Sequence, residues 1–121
     1  MPFVETAVGG SVLLKVDGRI DMSNSDAFKD RLMTAVSAAE RAVVVDLAGV
    51  DYISSAGLRS LMIALRAAKR QSKAFGVAAL GPLVIEIFTI SRFNLVLSLY
   101  PTVRDAVAAL APTSLDAFDA V

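Results

Sequence analysis

The 121-residue chain contains no cysteine and no histidine. Without cysteine it can form neither disulfide bonds nor a thiolate nucleophile. Without histidine it lacks the commonest metal ligand and the usual general base at neutral pH. These two absences argue against most hydrolases and metalloenzymes. We therefore predict a protein that is not an enzyme and that uses no metal and no cofactor.

The chain also lacks an excess of charge of one sign and a long apolar run. Twelve Lys and Arg residues balance twelve Asp and Glu residues, so the basic surface of a general nucleic-acid binder is not expected. The most apolar stretch, residues 74–85, is shorter than the ~20 residues that a membrane span needs. The N-terminus does not look like a secretory signal. We predict a cytoplasmic protein without a nucleic-acid partner and without direct membrane insertion.

Hydrophobic residues make up 55% of the chain, which suits one compact domain. Strand-like runs alternate with helical patterns, and this order predicts β–α–β units and a mostly parallel sheet. The predicted strands are 3–8, 11–16, 42–47, 74–80 and 94–100; the helices are about 23–40, from the serines at 54 and 55 to about 73, from Pro82, and from Pro101. The turn at Gly9-Gly10 makes the first strand an antiparallel edge. We predict an α/β domain over residues 1–110, with about five strands and four helices, and a flexible tail over residues 111–121.

The junction "VVVDLAGVDYISSAGLRSL", residues 43–61, joins a buried strand to a helix. Ser54 or Ser55 can cap that helix, which is worth ~1 kcal/mol. However, the first turn contains no acid, and Gly57 in a helix costs roughly 1 kcal/mol relative to alanine. A helix start with free amides and no fixed anion tolerates an added anion. The two interpretations are a structural cap and a phosphorylation site.

The same junction resembles the central motif of STAS domains, the fold of bacterial anti-sigma factor antagonists. "VDGRID" (16–21) resembles the strand-to-helix turn of that family, and "LYPTVRDAVAAL" (99–110) resembles its last strand and helix. The resemblance covers about residues 3–110. It implies the STAS fold, with a mixed central sheet, and the function of an anti-sigma factor antagonist.

The resemblance also assigns residues. The phosphate acceptor of the antagonists is the serine two positions before a Gly-Leu pair, which is Ser55 here. Ser54 stands where the family often has Asp, and Ala56 stands where a second hydroxyl is common. Asp21 matches an acid near the serine loop, although it can equally be a turn residue. The residues expected around the phosphosite are Asp21, Ser54, Ala56 and Gly57.

Antagonists of this kind work by partner switching. The resemblance implies that the unphosphorylated protein binds an anti-sigma factor that is also a serine kinase of the histidine-kinase-like ATPase type. Phosphorylation at Ser55 would release the protein, and a PP2C-type phosphatase would restore it. Four basic residues recur at spacings of seven, four and three, which indicates either a partner-binding surface or a solvated helix face. They are Arg59, Arg66, Arg70 and Lys73.

Other functions remain open from the sequence. A STAS protein can be a scaffold subunit that is not phosphorylated, in a stressosome-like assembly or in a phospholipid-transport ATPase complex. Nucleotide binding is less favoured because neither a Walker motif nor Gly-x-Gly-x-x-Gly is present. An enzyme is less favoured still, because Asp21, Asp46 and Asp51 have no evident catalytic partners. The apolar segment 83–90 indicates core packing, a partner surface or a self-association surface.

Overall fold

The computed structural model describes residues 2–120, and its centre is a five-stranded sheet. The strands are β1 (Phe3–Val8), β2 (Ser11–Ile20), β3 (Ala42–Ile53), β4 (Ala74–Ala78) and β5 (Ser98–Tyr100). Their order in the sheet is the order in the chain. The pair β1–β2 is antiparallel and the other three pairs are parallel. The predicted mixed sheet with an antiparallel N-terminal edge is confirmed.

Five α-helices surround this sheet in the described residues. They are α1 (Ser25–Ala38), α2 (Ser55–Arg70), α3 (Pro82–Ile90), α4 (Val103–Leu110) and α5 (Leu115–Asp119). Short 3₁₀ turns at Phe93–Leu95 and Pro112–Ser114 precede β5 and α5. The first helix begins at Ser25, slightly later than the predicted start at about residue 23, and Asp26 lies in its first turn.

The helices bury both faces of the sheet. On one face, α1, α2 and α3 contribute Phe28, Leu61 and Phe88 to the main core. On the other face, α4 packs Ala106 and Val107 against alternate strand residues. The continuous apolar run at the start of β3 is buried on both faces for this reason. Parallel strands covered in this way place their carboxyl ends, and the loops that follow, at one edge of the domain.

The middle of the sheet is longer than the sequence indicated. The strands expected at 11–16 and 42–47 continue to Ile20 and Ile53. The pairing between β2 and β3 continues through two register shifts. One of these shifts lies beside Gly18, whose φ is +100°. At Gly49 a Cβ atom would overlap the Asp17 carboxylate, so any other residue there would force the Asp17 side chain to move. The extended β2–β3 ribbon carries the backbone past the neighbouring strands to the start of α2.

The C-terminal third differs most from the sequence prediction. Strand β5 covers only Ser98–Tyr100, because residues 93–95 form a 3₁₀ turn with Leu95 and Val96 exposed. The helix expected from Pro101 begins at Val103. It is capped by Thr102, whose Oγ1 accepts a hydrogen bond of 3.0 Å from the Asp105 amide.

Residues 111–121, expected as a flexible tail, are folded in their described part. Ser114 is fully buried; its hydroxyl donates to the Gly9 carbonyl and shares a 2.9 Å hydrogen bond with the Ser11 hydroxyl. A bidentate ion pair, with both N–O distances 3.0 Å, joins Arg104 of α4 to Asp119 of α5. Sequence patterns could not reveal the burial of Ser114, because its partners Ser11 and Gly9 lie 103 and 105 positions away in the chain.

Candidate functional site

The serine junction lies at the carboxyl ends of β2 and β3. The Ser54 amide donates a 2.9 Å hydrogen bond to the Ile20 carbonyl, so the start of α2 is tied to the end of β2. Ser54 has an extended backbone, and its Oγ accepts a hydrogen bond of 3.2 Å from the Gly57 amide. Ser54 is therefore the N-cap of α2, as one of the two sequence interpretations allowed.

Ser55 has a different environment from its neighbour. It is the first residue of α2 and is exposed, whereas Ser54 is half-buried. None of the side-chain hydrogen bonds within residues 2–120 engages the Ser55 hydroxyl; the cap bond to Gly57 belongs to Ser54. The two adjacent hydroxyls thus differ in environment: one caps the helix start, and the other is exposed and forms no hydrogen bond within residues 2–120.

Gly57 is required by packing. A Cβ atom at this position would lie 2.7 Å from Ile20 Cγ2 and 2.7 Å from Ile53 Cγ1. Both isoleucines are buried at the ends of their strands, so neither can move aside cheaply. The glycine lets the first turn of α2 lie directly on β2 and β3. This close approach explains why the chain has a glycine at position 57, although glycine is less favourable than alanine inside a helix.

The helix start carries a partial positive charge. The first turn of α2 contains no acidic residue. The Gly57 amide is taken up by the Ser54 cap, and the amides of Ser55 and Ala56 have no acceptor within the described chain. Unpaired amides and the helix dipole favour a nearby anion by about 0.3–1 kcal/mol at an exposed site. The site is compatible with negative charge but does not contain it.

Asp21 lies just beyond the end of β2 and is engaged by its own turn. Its carboxylate accepts hydrogen bonds from the Ser23 hydroxyl and the Ser23 amide, and it pairs with Arg19 at 3.4 Å. The Ser23 hydroxyl, then the Ser23 amide and the charge of Arg19, lower the pKa of Asp21 below its ordinary value. These contacts support the interpretation of Asp21 as a turn residue.

A stacked pair beside Asp21 was not indicated by the sequence. The Arg19 guanidinium lies 4.0 Å from the centre of the Tyr52 ring. Arg19 and Tyr52 are register partners on β2 and β3. This cation–π contact braces the end of the ribbon that positions Ser54.

Three of the four predicted basic residues share a face with Ser55. Arg59, Arg66 and Arg70 are exposed residues of α2. At 100° per residue they and Ser55 fall within about one-sixth of the helix circumference. Helix α2 contains no acidic residue. The face therefore carries an unbalanced positive charge that leads away from Ser55.

Lys73 does not belong to this face. Helix α2 ends at Arg70, and the chain reverses at Ser72, which has a φ of +57°. The Lys73 amide donates to the Ala68 carbonyl at 2.9 Å, which completes a Schellman motif. The Lys73 ammonium instead donates a 2.7 Å hydrogen bond to the Val36 carbonyl near the end of α1. The helical spacing assumed from the sequence fails because the helix stops before this residue.

Residues 2–120 contain neither a metal-binding cluster of side chains nor a membrane-spanning helix. No group of three or more acidic side chains is arranged to hold a metal ion. None of the helices in this range combines the length and the apolarity that crossing a bilayer requires.

Comparison with known families identifies the domain. Residues 4–99 match the sequence profile of a family described as "Mlab, STAS domain". The chain belongs to the STAS domain family. The fold agrees with this assignment, since the chain superimposes on an anti-sigma-factor antagonist (STAS) domain protein from Planctomyces limnophilus with a TM-score of 0.79 at 20% identity, covering 90% of this chain and 97% of that one.

The relatives of this STAS domain include anti-sigma factor antagonists. The chain is 34% identical over 110 residues to a Bordetella bronchiseptica protein assigned as anti-sigma factor antagonist BtrV, covering 89% of this chain and 92% of that protein. An anti-sigma factor antagonist from Mycobacterium paratuberculosis superimposes with a TM-score of 0.82 at 28% identity, covering 90% of this chain and 92% of that one.

The antagonist SpoIIAA shares the fold at lower identity. Its unphosphorylated form has a TM-score of 0.76 at 14% identity, with 92% of this chain and 97% of SpoIIAA covered. The phosphorylated form of Bacillus SpoIIAA has a TM-score of 0.66 at 14% identity, with coverages of 89% and 98%. At this identity the likeness to SpoIIAA shows the fold of the STAS domain.

Proposed function

We propose that this STAS protein is an anti-sigma factor antagonist whose binding to its partner is switched off by phosphorylation of Ser55. The observation that carries the proposal is the difference between the two adjacent serines. Ser54 is committed to capping α2, whereas Ser55 is exposed and free of hydrogen bonds within residues 2–120. The relatives named as anti-sigma factor antagonists support the class of function.

The partner in this proposal is an anti-sigma factor that is also a serine kinase. In the transfer, Ser55 Oγ bonds to the γ-phosphorus of ATP while the bond to the β–γ bridging oxygen breaks. The hydroxyl proton passes to a base of the kinase, and ADP leaves. This chain, which lacks histidine, supplies the acceptor and not the catalytic base. A PP2C-type phosphatase reverses the modification by hydrolysis.

The phosphate acts on the docking surface. It adds about −1.5 to −2 charges at pH 7 at a residue that lies on the same helix face as Arg59. Burying this charge in a packed interface costs several kcal/mol, and 1.4 kcal/mol already weakens binding tenfold. Neither the cap at Ser54 nor the packing at Gly57 involves the Ser55 hydroxyl. The switch therefore needs no change of fold.

The replacement of the common Asp by Ser54 is compatible with this mechanism. A serine caps the helix as an aspartate would, and its Oγ does so here through the Gly57 amide. What the chain loses is a negative charge next to the acceptor. A phosphate on Ser55 is consequently spared the repulsion of a neighbouring carboxylate.

The basic face of α2 is the surface that we assign to the partner. Arg59, Arg66 and Arg70 are exposed, and no acid on that helix compensates them. Such a face favours an acidic partner surface and accelerates association at low ionic strength. Lys73 is omitted from this surface because its ammonium is bound to the α1 carbonyl of Val36.

The proposal is tested by phosphorylation with the serine-kinase anti-sigma factor of the same organism. With ATP, the wild-type chain should gain the mass of one phosphate, located at Ser55 by peptide mass spectrometry. Ser55→Ala should gain none and should stay bound to the kinase in the presence of ATP. Ser55→Asp should bind at least about tenfold more weakly than Ser55→Ala, because it buries a charge.

Ser54→Ala is the matched control, since it removes the neighbouring hydroxyl and leaves Ser55. It should still gain one phosphate. Modification of Ser54 in place of Ser55 would show that the acceptor is misassigned. Equal affinities of the modified and unmodified chains would reject the switch and favour the alternative of a constitutive STAS scaffold.

A further inference from the structure

Arg59 is the first charged residue that follows Ser55 along α2. The two residues are four positions apart, and both are exposed. In a helix, the side chains at positions i and i+4 lie on one face, with their Cβ atoms about 5–6 Å apart. The bond from Cα to Cβ tilts toward the N-terminus of the helix. The long Arg59 side chain can therefore extend back over the first turn, where Ser55 lies.

The unmodified chain offers Arg59 no anionic partner within residues 2–120. The two ion pairs in this range join other residues. Helix α2 contains no acid, and the side chains three and four positions beyond Arg59 are the apolar Met62 and Ile63. The Arg59 guanidinium is therefore available to an anion that arrives on its own helix face.

Two other cations near this end of the domain are less suitable. Arg19, at the end of β2, already pairs with Asp21 at 3.4 Å and stacks on an aromatic ring. Arg66 is on the same face of α2 but lies eleven residues beyond Ser55, which is about 16 Å along the helix axis. This separation exceeds the Debye length of about 8 Å at physiological salt. Of these three arginines, only Arg59 is both unpaired and within one helical turn.

We propose that Arg59 holds the phosphate on Ser55 through an ion pair within α2. This inference rests on the proposed phosphorylation of Ser55. An anion that is N-terminal to a cation at i, i+4 is the favourable order for such a pair, because it agrees with the helix dipole. The planar guanidinium of arginine can donate two parallel hydrogen bonds to two phosphate oxygens, which a lysine ammonium cannot do.

The pair changes the surface that the partner meets. In the unmodified chain, Arg59, Arg66 and Arg70 present three positive charges on one face of α2. A phosphate of about −1.5 to −2 charges leaves roughly one net positive charge on that face. The arginine next to the serine is then occupied by the phosphate and is withdrawn from an acidic partner. Arg59 thus serves as a docking residue before modification and as the phosphate ligand after it.

Phosphorus NMR of the full chain, with phosphoserine placed at position 55 by an expanded genetic code, tests the pair without any kinase. The second pKa of a phosphoserine is ordinarily about 6, and a paired guanidinium should lower it by favouring the dianion. Arg59→Gln should raise this pKa by about 0.3 relative to the wild type. Arg59→Lys should retain part of the lowering, because it keeps the charge but not the planar fork. Arg66→Gln is the matched control and should leave the phosphate pKa unchanged.

Thermal unfolding followed by circular dichroism gives a second measurement and checks that each variant is folded. Phosphoserine at position 55 should raise the melting temperature of the wild type by about 2 °C more than that of Arg59→Gln. A phosphate pKa that is the same in the wild type and in Arg59→Gln would overturn the inference, as would equal rises in Arg59→Gln and Arg66→Gln. The two proposals fail separately: a kinase that leaves Ser55 unmodified rejects the proposed function, whereas an unshifted pKa in Arg59→Gln rejects the role of Arg59.

Discussion

Two pairs of serines lie at opposite ends of the sheet and behave differently. Ser11 and Ser114 are buried below the amino end of β2, where their hydroxyls bond to each other and to the Gly9 carbonyl. Ser54 and Ser55 lie at the carboxyl ends of β2 and β3, where one hydroxyl caps α2 and the other is exposed. The first pair joins segments 103 positions apart in sequence, whereas the second is purely local.

The comparison shows that the environment of a hydroxyl decides its use. A buried hydroxyl must keep its partners, because an unsatisfied polar group in the interior costs about 1–3 kcal/mol. An exposed hydroxyl is satisfied by water and loses little when it is changed or modified. A reversible modification is therefore tolerated at Ser55 and would be destructive at Ser114. Three measurements test this contrast.

The largest effect is expected at the buried end. Ser114→Ala should lower the free energy of unfolding by about 2 kcal/mol, because the buried Ser11 hydroxyl loses its partner. Urea unfolding followed by circular dichroism measures the change. Thr113→Ala, at the exposed neighbouring position, is the matched control and should stay within about 0.5 kcal/mol. Equal stabilities of the two variants would remove the distinction between the two ends of the sheet.

A smaller effect is expected from the cap. Ser54→Ala should lower the free energy of unfolding by about 1 kcal/mol, the usual cost of losing an N-cap. Ser55→Ala should change it by less than about 0.5 kcal/mol, since no hydrogen bond within residues 2–120 is lost. The same urea experiment compares them. A larger loss at Ser55 than at Ser54 would mean that the two roles are exchanged.

The smallest effect concerns the turn next to the serine site. The pKa of Asp21 is lowered in the folded chain, chiefly by the Ser23 hydroxyl. The unfolded chain therefore takes up the proton first as the pH falls. The stability contributed by this carboxylate is present above its ordinary pKa of 3.8 and is lost as the pH falls through the lower folded value.

Urea unfolding at several pH values between about 5 and 3 tests this linkage. Asp21→Asn should lose slightly less stability than the wild type over that interval, and Ser23→Ala should lie between the two. The effect is small because the turn is exposed to solvent. Identical pH profiles for the wild type and Asp21→Asn would show that the ionisation of Asp21 contributes nothing to stability over this interval.

The sequence predicted the order of elements but not the length of the central ribbon. The apolar runs of β2 and β3 end near Val16 and Leu47, where one face of the ribbon becomes exposed. Beyond that point the strands continue through glycines and register shifts, which leave no regular alternation to read. The contacts of Ile20 and Ile53 with Gly57 could be found only from the folded chain.

The sequence prediction for the C-terminal region was wrong for a different physical reason. Apolar residues at 95 and 96 were taken as part of a strand, yet both side chains are exposed. Conversely, the polar Ser114 was taken as part of a tail, yet it is fully buried. Local composition is a poor guide where the partner of a residue lies at the other end of the chain. The cap at the start of α2 could be predicted, because Ser54 and the helical pattern that it precedes are adjacent in the sequence.

The tie between Ser54 and the Ile20 carbonyl, together with the fit of Gly57 against two strands, has a consequence for signalling. Because the start of α2 is fixed to the sheet in this way, modification of Ser55 requires no slow rearrangement of the backbone. The proposed regulator would then keep no memory of earlier signals. Its active fraction at any moment would follow the ratio of kinase to phosphatase rates, and the response could be as fast as those two enzymes permit.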